Sequence, residues 1–304
     1  MAFDQHGTRF LLYARHLGVD FSRTAMIGRQ QLQLSARDLA ANLRLFDKLT
    51  DGALASKLLH SDGGYSEGFL RHLGAVDVHS YDCTAYEGAT DVHDMNLPIS
   101  AEHKDRYMLV LNGGALEHVF DLATGFRNCM EMIQVGGHFL NFVPSNNWMG
   151  HGFYQFSPEL FFRLLNESNG YRMMRLLACE DRPRAPWFIV RDPEAIRKRV
   201  GVISGRRVSL LVLAQRTERR PILETMPQQS DYSVAWAQAG SPTSGAASAR
   251  RPSWKRRVKR RVKRGFRRVL AYDYGSFDPR LFERLDLARE LAAPNRSSTS
   301  GRKR

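Results

Sequence analysis

The sequence is poor in cysteine. Cys83, Cys129 and Cys179 are the only three among 304 residues, and they stand far apart along the chain. Their number is odd, no two form a Cys-x-x-Cys pair, and none has a histidine at zinc-site spacing, so neither a disulfide framework nor a cysteine-bound zinc ion is indicated. Thiols without disulfide partners are typical of a reducing compartment, and we therefore expect a cytoplasmic protein.

Long apolar runs are also missing. Nowhere do roughly 18 consecutive apolar residues occur, the length that a membrane-spanning helix needs, and the first residues, Met1 to His6, lack the basic and apolar segments of a secretory signal. The sequence predicts a chain that enters no secretion route and crosses no bilayer. It also has no Gly-x-x-x-x-Gly-Lys loop, which argues against an ATPase.

Acidic charge is scarce only near the C-terminus. Lys and Arg number 45 against 31 Asp and Glu, and residues 250–304 alone hold 19 basic and 5 acidic residues, which leaves 26 of each in residues 1–249. A balanced body argues against nucleic-acid binding over the whole surface, because neutralising phosphates requires clustered Lys and Arg. The basic tail needs a separate explanation.

Hydrophobic patterns of strand and helix alternate along the first two thirds of the chain. Strands are predicted at 24–28, 75–81, 89–93, 107–111, 138–143, 173–178 and 208–214. Helices are predicted at 9–17, 35–46, 53–59, 66–73 and 121–134 and from residue 157, and Gly136-Gly137 is expected to turn the chain into its next strand. This alternation predicts an α/β fold, Rossmann-like and doubly wound, with a mostly parallel sheet.

Composition divides the chain into three parts. Residues 1–226 form the predicted Rossmann-like domain, and residues 227–253, rich in Gln, Ser, Gly, Thr and Pro, form a flexible linker. Residues 254–304 form a basic amphipathic tail, with a short helix expected from Asp278 to about Leu291.

Polar residues follow the predicted strands at the points where each strand ends. In an open α/β sheet the ligand crevice lies beyond these carboxyl ends, near the place where the strand order reverses. The residues concerned are Gly28-Arg29-Gln30, Asp82, Asp94, Asn112-Gly113-Gly114 with Glu117-His118, and Pro144 to Asn147.

Read in order, these positions resemble class I S-adenosylmethionine-dependent methyltransferases over roughly residues 20–215. The resemblance lies in a glycine after the first strand, acids after the second and third, Leu116-Glu117-His118-Val119 after the fourth, and Met132 to Gly137 before the fifth. Residues 128–160, with Tyr154 to Leu160, are also similar to methyltransferase-like proteins of bacterial surface-polysaccharide clusters. The resemblance implies S-adenosylmethionine as cofactor and a small or glycan-linked methyl acceptor.

The resemblance also implies roles for the strand-end residues. Gly28 would let the backbone approach the methionine part of the cofactor, and Arg29 would pair with its carboxylate. Asp82 would accept hydrogen bonds from the ribose hydroxyls, because a carboxylate offers only acceptors, and Asp94 would receive the adenine amino group. Asn112 and Gly113 would line the floor beside the transferred methyl.

Methyl transfer needs an aligned acceptor and, for some acceptors, a base. His118 and His151 are the candidate bases, because imidazole titrates near neutral pH, and Tyr154 is a candidate for orienting the acceptor. Gly150 and Gly152 predict an exposed, mobile loop around His151. No metal is expected, since the one acid and histidine cluster considered, Asp91 to Asp94, would point to both faces of a strand.

The basic tail carries an apolar stripe. Trp254, Val258, Val262 and Phe266 recur every four residues, and twelve Lys and Arg lie between 250 and 268. A helix of this kind can lie on an anionic membrane with its stripe among the headgroups, so residues 254–270 predict peripheral association with the inner membrane face. Nucleic acid is a less favoured partner, because phosphate binding does not need the stripe.

Two alternative functions remain open. Arg29, Gln30 and Gln31 stand where the methyltransferases carry further glycines, a departure that favours a methyltransferase-like protein without cofactor, serving as a binding or scaffold protein. The basic tail is also compatible with an RNA methyltransferase that uses it as a docking arm.

Overall fold

A nine-stranded sheet organises the chain in the computed structural model, which describes residues 2–49, 52–232 and 277–293. The helices are α1 Gln5–His16, α2 Ala36–Phe46, α3 Gly52–His60, α4 Glu67–His72, α5 Leu122–Met132, α6 Pro158–Leu164, α7 Pro193–Ile196 and α8 Leu287–Ala292. The strands are β1 Ala2–Phe3, β2 Arg23–Ile27, β3 Gln31–Leu32, β4 Asp77–Asp82, β5 Asp91–Val92, β6 Tyr107–Asn112, β7 Ile133–Asn146, β8 Tyr171–Glu180, β9 Phe188–Val190, β10 Val208–Arg216 and β11 Phe282–Arg284.

The strand order is β11-β9-β8-β10-β7-β6-β2-β4-β5. Strands β7, β6, β2, β4 and β5 pair in parallel, and β10 runs antiparallel to both β7 and β8, so β8 points the same way as the parallel strands. The predicted Rossmann-like α/β fold with a mostly parallel sheet is therefore confirmed. The chain moves outward from β2 to β5 and returns to β6, which places the switch point between β2 and β6.

Two hydrophobic clusters cover the two faces of the sheet. Strand β2 contributes to both, because neighbouring side chains point to opposite faces: Ala25 and Ile27 join one cluster and Met26 the other. Phe126 of α5 and Phe161 of α6 are buried in the first cluster, and helices α1 to α4 contribute to the second. Burial on both faces explains why the central strands are apolar throughout.

Local signals set the helix starts where the sequence predicted them. Ser35 caps α2 by accepting a hydrogen bond from Asp38 N at 3.1 Å, and its hydroxyl donates to the Asp38 carboxylate at 2.7 Å. Asp121 caps α5 in the same way, accepting from Thr124 N at 3.1 Å.

The glycine pair at 136–137 does not make the predicted turn. Strand β7 already begins at Ile133 and continues through both glycines, with Gly136 at a φ of +89°. The pairing of β6 with β7 shifts register between Tyr107 and Leu109. The glycines thus accommodate an irregularity inside a long strand, which is the usual effect of a bulge.

The helix predicted from Asp278 to Leu291 is wrong in its first half. Residues 282–284 form β11, which pairs antiparallel with β9, and the helix α8 begins only at Leu287. Phe277 stacks on Phe188 with ring centroids 4.2 Å apart, and Phe282 and Leu285 are buried. Burial against the sheet outweighs local helix propensity here.

The predicted division into domain, linker and tail stays a prediction. Most of the linker and the whole stretch 254–270 lie outside the described residues, whereas residues 277–293 pack on the sheet. Within the part of the chain that is described, no helix combines the length and the apolar character needed to span a membrane.

Candidate functional site

The carboxyl ends of β2, β4 and β6 meet at one edge of the sheet. Gly28 follows β2 with a φ of +70°, and its N–H donates to Tyr81 O at 2.7 Å. Ile27 pairs with Asn112 in the ladder, so Gly28 and Gly113 continue from neighbouring strands at the switch point. We call the space between them the strand-end crevice.

Asn112 holds the loop that follows β6. Its fully buried side chain accepts hydrogen bonds from Ala115 N at 2.9 Å and Leu116 N at 3.2 Å, and its amide donates to Asn141 Oδ1 at 3.0 Å. The polar groups of Asn112 are therefore engaged with the protein. This residue shapes the crevice wall and fixes the start of the turn that carries Glu117 and His118.

Gln30 and Phe3 fill the floor of the strand-end crevice. The Gln30 amide donates to Ile27 O at 2.9 Å and to Gly28 O at 3.2 Å, and both side chains are fully buried. A Cβ atom placed on Gly113 would lie 2.8 Å from Gln30 Oε1 and 2.8 Å from Phe3 Cε1. Side chains of the protein itself thus occupy the space beside Gly113.

Arg29 is also engaged within the protein. Its Nε donates to Glu67 Oε1 at 2.7 Å, its Nη1 donates to Glu87 O at 2.8 Å, and its guanidinium lies 3.9 Å from the centre of the Tyr65 ring. These contacts tie the loop after β2 to α4 and to the loop after β4. The structure does not aim Arg29 at a free carboxylate site.

The two predicted acids differ in their surroundings. Asp82 is the last residue of β4 and is half-buried, and its backbone carbonyl accepts from His93 N at 2.7 Å. Asp94 is exposed and accepts from the backbone N–H of Asn96 at 2.9 Å and from its side-chain amide at 2.7 Å. These bonds hold the pKa of Asp94 below its ordinary value. Asp94 caps a turn, whereas Asp82 faces the edge of the sheet.

Glu117, His118 and His151 come together beyond the end of β6, and we call them the Glu117 cluster. One ligand atom from each lies within 4.8 Å of those of the other two. His151 Nε2 is 3.5 Å from Glu117 Oε1, and the two imidazole rings meet edge to face at 5.2 Å. Both histidines are exposed, whereas the Glu117 side chain has no exposed surface.

The Glu117 carboxylate is buried without hydrogen bonds. Neither of its oxygens has a hydrogen-bond partner among the described residues, and burial raises its pKa to about 7. Burial, and then the neighbouring His151, lower the pKa of His118. The sequence places Glu117 among the strand-end residues, in the Leu-Glu-His-Val pattern, but gives no signal of its burial.

The loop that carries His151 is exposed, as Gly150 and Gly152 predicted, and hydrogen bonds hold its two ends, while its mobility stays a prediction. Phe153 N donates to Glu117 O at 2.7 Å, and Trp148 Nε1 donates to Val208 O at 3.0 Å. Gly152 has a φ of +71°, and a Cβ there would lie 2.7 Å from Glu117 O. Glycine is therefore needed for close approach of the two backbones.

Tyr154 and two neighbouring phenylalanines line the rim beside the Glu117 cluster. The Tyr154 hydroxyl donates to Phe120 O at 2.7 Å, so its one proton is used inside the protein. Phe120 and Phe153 are 71% and 64% exposed and meet edge to face at 5.6 Å. They form an exposed aromatic surface next to His151.

A cavity of about 270 Å³ lies further along the same edge. It is lined by the end of β7 and residues after it, by the 200–202 segment and by two phenylalanines of the C-terminal segment: Ser145, Asn146, Gln155, Phe156, Phe277 and Phe282 are among them. Gln155 accepts a hydrogen bond from Trp148 N at 2.8 Å. Gln155 thus connects the lining of this cavity to the loop that carries His151.

Residues 64–68 read Gly-Tyr-Ser-Glu-Gly, the spacing of the nucleophile turn of many hydrolases. Ser66 is fully buried, and its hydroxyl donates to Met26 Sδ at 3.2 Å. The serine follows the 3-10 turn Ser61–Gly64, whereas a nucleophile turn follows a strand. Ser66 therefore has no access to a substrate.

The fold and this edge of polar groups define an α/β protein of the Rossmann-like class. No protein-family model matches the sequence, and no curated protein matches it. Solved structures that it resembles include the N-methyltransferase NodS from Bradyrhizobium japonicum (11% identity, 70% of this chain, 96% of that chain, TM-score 0.37). TehB from Haemophilus influenzae is another (13% identity, 60% and 67% coverage, TM-score 0.33). Identities and scores this low do not decide activity, and the fold assignment depends on the strand order described above.

Proposed function

We propose that the chain is an S-adenosylmethionine-dependent methyltransferase that acts on a small or glycan-linked acceptor. One observation carries the proposal: the carboxyl edge of the parallel strands brings Gly28, Asp82 and Asn112 to the switch point, and the Glu117 cluster lies directly beyond Asn112. A ligand crevice and a group of titratable side chains at the switch point are the usual arrangement of a ligand site in this fold class.

The two ends of the strand-end crevice, at Asp82 and at Gln30, differ in how well they would accommodate the cofactor. Asp82 is half-buried at a strand end, a suitable place for an acceptor of ribose hydroxyl hydrogens. At the methionine end, Gln30 and Phe3 occupy the space beside Gly113. We expect binding to displace the Gln30 side chain, whose amide would give up its hydrogen bonds to Ile27 and Gly28 at a cost of roughly 1 kcal/mol each.

The protein's own residues then have limited tasks. A bound cofactor would supply a methyl group already activated on a sulfonium, so the protein must orient an acceptor and take up its proton. His118 and His151 are the exposed imidazoles available for that proton. The aromatic surface of Phe120 and Phe153 is suited to the apolar face of a sugar ring.

Calorimetric titration with S-adenosylhomocysteine tests the proposal. We expect saturable binding by the wild type and at least tenfold weaker binding by Asp82→Ala, because a ribose hydroxyl then loses its acceptor. Asp77→Ala is the matched control, since Asp77 lies on the same strand at its amino end and should leave binding unchanged. Equal binding by the wild type and Asp82→Ala would remove the ribose assignment, and no binding by the wild type at millimolar ligand would contradict the proposed activity.

The second candidate is a non-catalytic binding or scaffold protein, and the filled crevice favours it. Gln30 is fully buried and hydrogen-bonded across the strand end, an arrangement that needs no cofactor. Absence of heat and of thermal stabilisation with S-adenosylhomocysteine, in the wild type and in a variant lacking the Gln30 side chain, would support this candidate over the enzyme.

We further propose that residues 254–270 hold the protein at an anionic membrane surface. The support is the sequence pattern alone, an apolar stripe within a strongly basic segment. Such placement would bring a lipid-linked acceptor within reach of the domain.

A further inference from the structure

Within the described part of the chain, the buried Glu117 carboxylate at the carboxyl edge of the parallel strands lacks hydrogen-bond partners. It has no exposed surface, and neither oxygen has a hydrogen-bond partner among the described residues. Burying a carboxylate costs several kcal/mol unless it is paired or bound to a cation. Glu117 is therefore either protonated or placed against a positive charge, and a bound cation is one partner that would compensate both oxygens.

Close contacts hold the backbone around Glu117. Gly114 has a φ of +94°, and a Cβ there would lie 3.2 Å from Glu117 Oε1, so the chain passes close to the carboxylate on that side. The hydrogen bond from Phe153 N to Glu117 O holds the His151 loop against the Leu116–His118 turn. Two separate stretches of chain, more than thirty residues apart, thus present three ligand-type side chains to one point.

We propose that Glu117, His118 and His151 bind a divalent transition-metal ion of the zinc type. Two imidazoles and one carboxylate form a donor set that zinc uses in sites that keep an open position for water or substrate. The three ligand atoms lie within 4.8 Å of one another, and a tetrahedral ion with bonds of about 2.0 to 2.1 Å needs them somewhat closer. The two exposed histidine side chains can supply that movement by rotation.

An ion pair with His151 alone does not satisfy this site. His151 Nε2 is 3.5 Å from Glu117 Oε1, beyond the usual length of a hydrogen bond, and Oε2 remains without a donor.

The inference goes beyond the proposed methyl transfer, because metal binding needs no cofactor. With an ion in place, both histidines act as ligands instead of the bases predicted from the sequence. An acceptor hydroxyl bound at the open position would lose its proton more readily, since a metal ion lowers the pKa of a bound oxygen.

Titration of chelator-treated protein with cobalt, read by its visible absorption, and with zinc, read by calorimetry, tests the proposal with the metal alone. We expect one ion per chain and an absorption spectrum typical of four- or five-coordinate cobalt. His118→Ala, His151→Ala and Glu117→Gln should each weaken binding at least about tenfold. His72→Ala is the matched control, because His72 is exposed and lies at the end of α4, just before the amino end of β4.

Two results would overturn the proposal. One is no binding by the wild type at about 1 mM zinc, which would leave the histidine and Glu117 ion pair as the whole arrangement. The other is binding of unchanged strength in His118→Ala and His151→Ala, both exposed positions where the fold should be retained. Because no S-adenosylmethionine or S-adenosylhomocysteine is present, either result leaves the proposed methyl transfer to be judged by its own titration.

Discussion

At the scale of single residues, the sequence predicted which residues lie at the strand ends, but not what surrounds them in the folded protein. Gln30 follows Gly28 where a cofactor loop was expected, and its bulk is evident from the sequence. That its amide turns back onto the end of β2 is visible only in the structure, where Phe3, from a distant segment, also lies beside Gly113. The same holds for Glu117, whose burial results from the Gly152 loop packing over it.

His138 offers a test of burial at this scale. Burial lowers the pKa of this β7 histidine to about 4 from 6.5, and its Nδ1 has no hydrogen-bond partner among the described residues. The folded state therefore favours the neutral ring, so its contribution to stability is complete above the unfolded pKa and is lost as the pH falls from 6.5 through about 4. A shift of this size corresponds to at most about 3 kcal/mol.

His138→Gln removes this titration. Urea unfolding between about pH 7 and pH 4 should show the wild type losing up to about 3 kcal/mol more stability than the variant. Parallel stability curves for the two proteins would show that His138 does not titrate differently in the folded and unfolded states.

At the scale of elements, long periodic segments were predictable, whereas among the shortest strands only β5 was predicted. The prediction found β2, β4, β6, β8 and β10 and their helices, because each carries several apolar residues in period. It missed β1, β3, β9 and β11, which are two or three residues long and therefore too short to show an alternation of apolar and polar residues. These short strands depend on tertiary pairing, such as β11 with β9, and pairing between distant segments cannot be read from local sequence.

Arg216, the last residue of β10, tests how much one buried side chain that contacts several elements contributes to stability. It is 3% exposed, donates to Asp105 Oδ1 at 2.7 Å, and also donates to Ile133 O at the start of β7. Arg216→Met should lower the free energy of unfolding by about 2 to 3 kcal/mol, because it leaves buried acceptors without a donor.

Arg219→Met is the matched control for Arg216. Arg219 pairs with the same Asp105 carboxylate but is 76% exposed, so its loss should cost less than about 1 kcal/mol. Urea unfolding of the two variants measures the difference. Equal losses of unfolding free energy in the two variants would show that the buried contacts of Arg216 between β10 and β7 stabilise the fold no more than an exposed ion pair does.

At the scale of the whole molecule, charge is the clearest feature that the sequence alone provides. The body is balanced, and the excess positive charge lies in residues 250–304, of which 277–293 pack on the sheet. The membrane role of residues 254–270 stays a prediction from the sequence pattern, since these residues lie outside those described.

Vesicle binding tests that role. The protein should bind vesicles that contain phosphatidylglycerol and not vesicles of phosphatidylcholine alone, and the pair of changes Trp254→Ala and Phe266→Ala should weaken binding at least about tenfold. Tyr86→Ala, which removes an exposed aromatic residue from the body, is the control. Tight binding to RNA with a steep salt dependence and no need for Trp254 or Phe266 would instead favour the RNA-docking alternative.

The central claim is that the strand-end crevice is a cofactor site covered by Gln30. The most direct measurement compares the affinity of the wild type and of Gln30→Ala for S-adenosylhomocysteine. Removing the amide removes the cost of displacing it, about 2 kcal/mol for the two hydrogen bonds, so the variant should bind about thirtyfold more tightly than the wild type. Affinity that does not change on removal of the Gln30 side chain, or no binding by either protein, would contradict the claim.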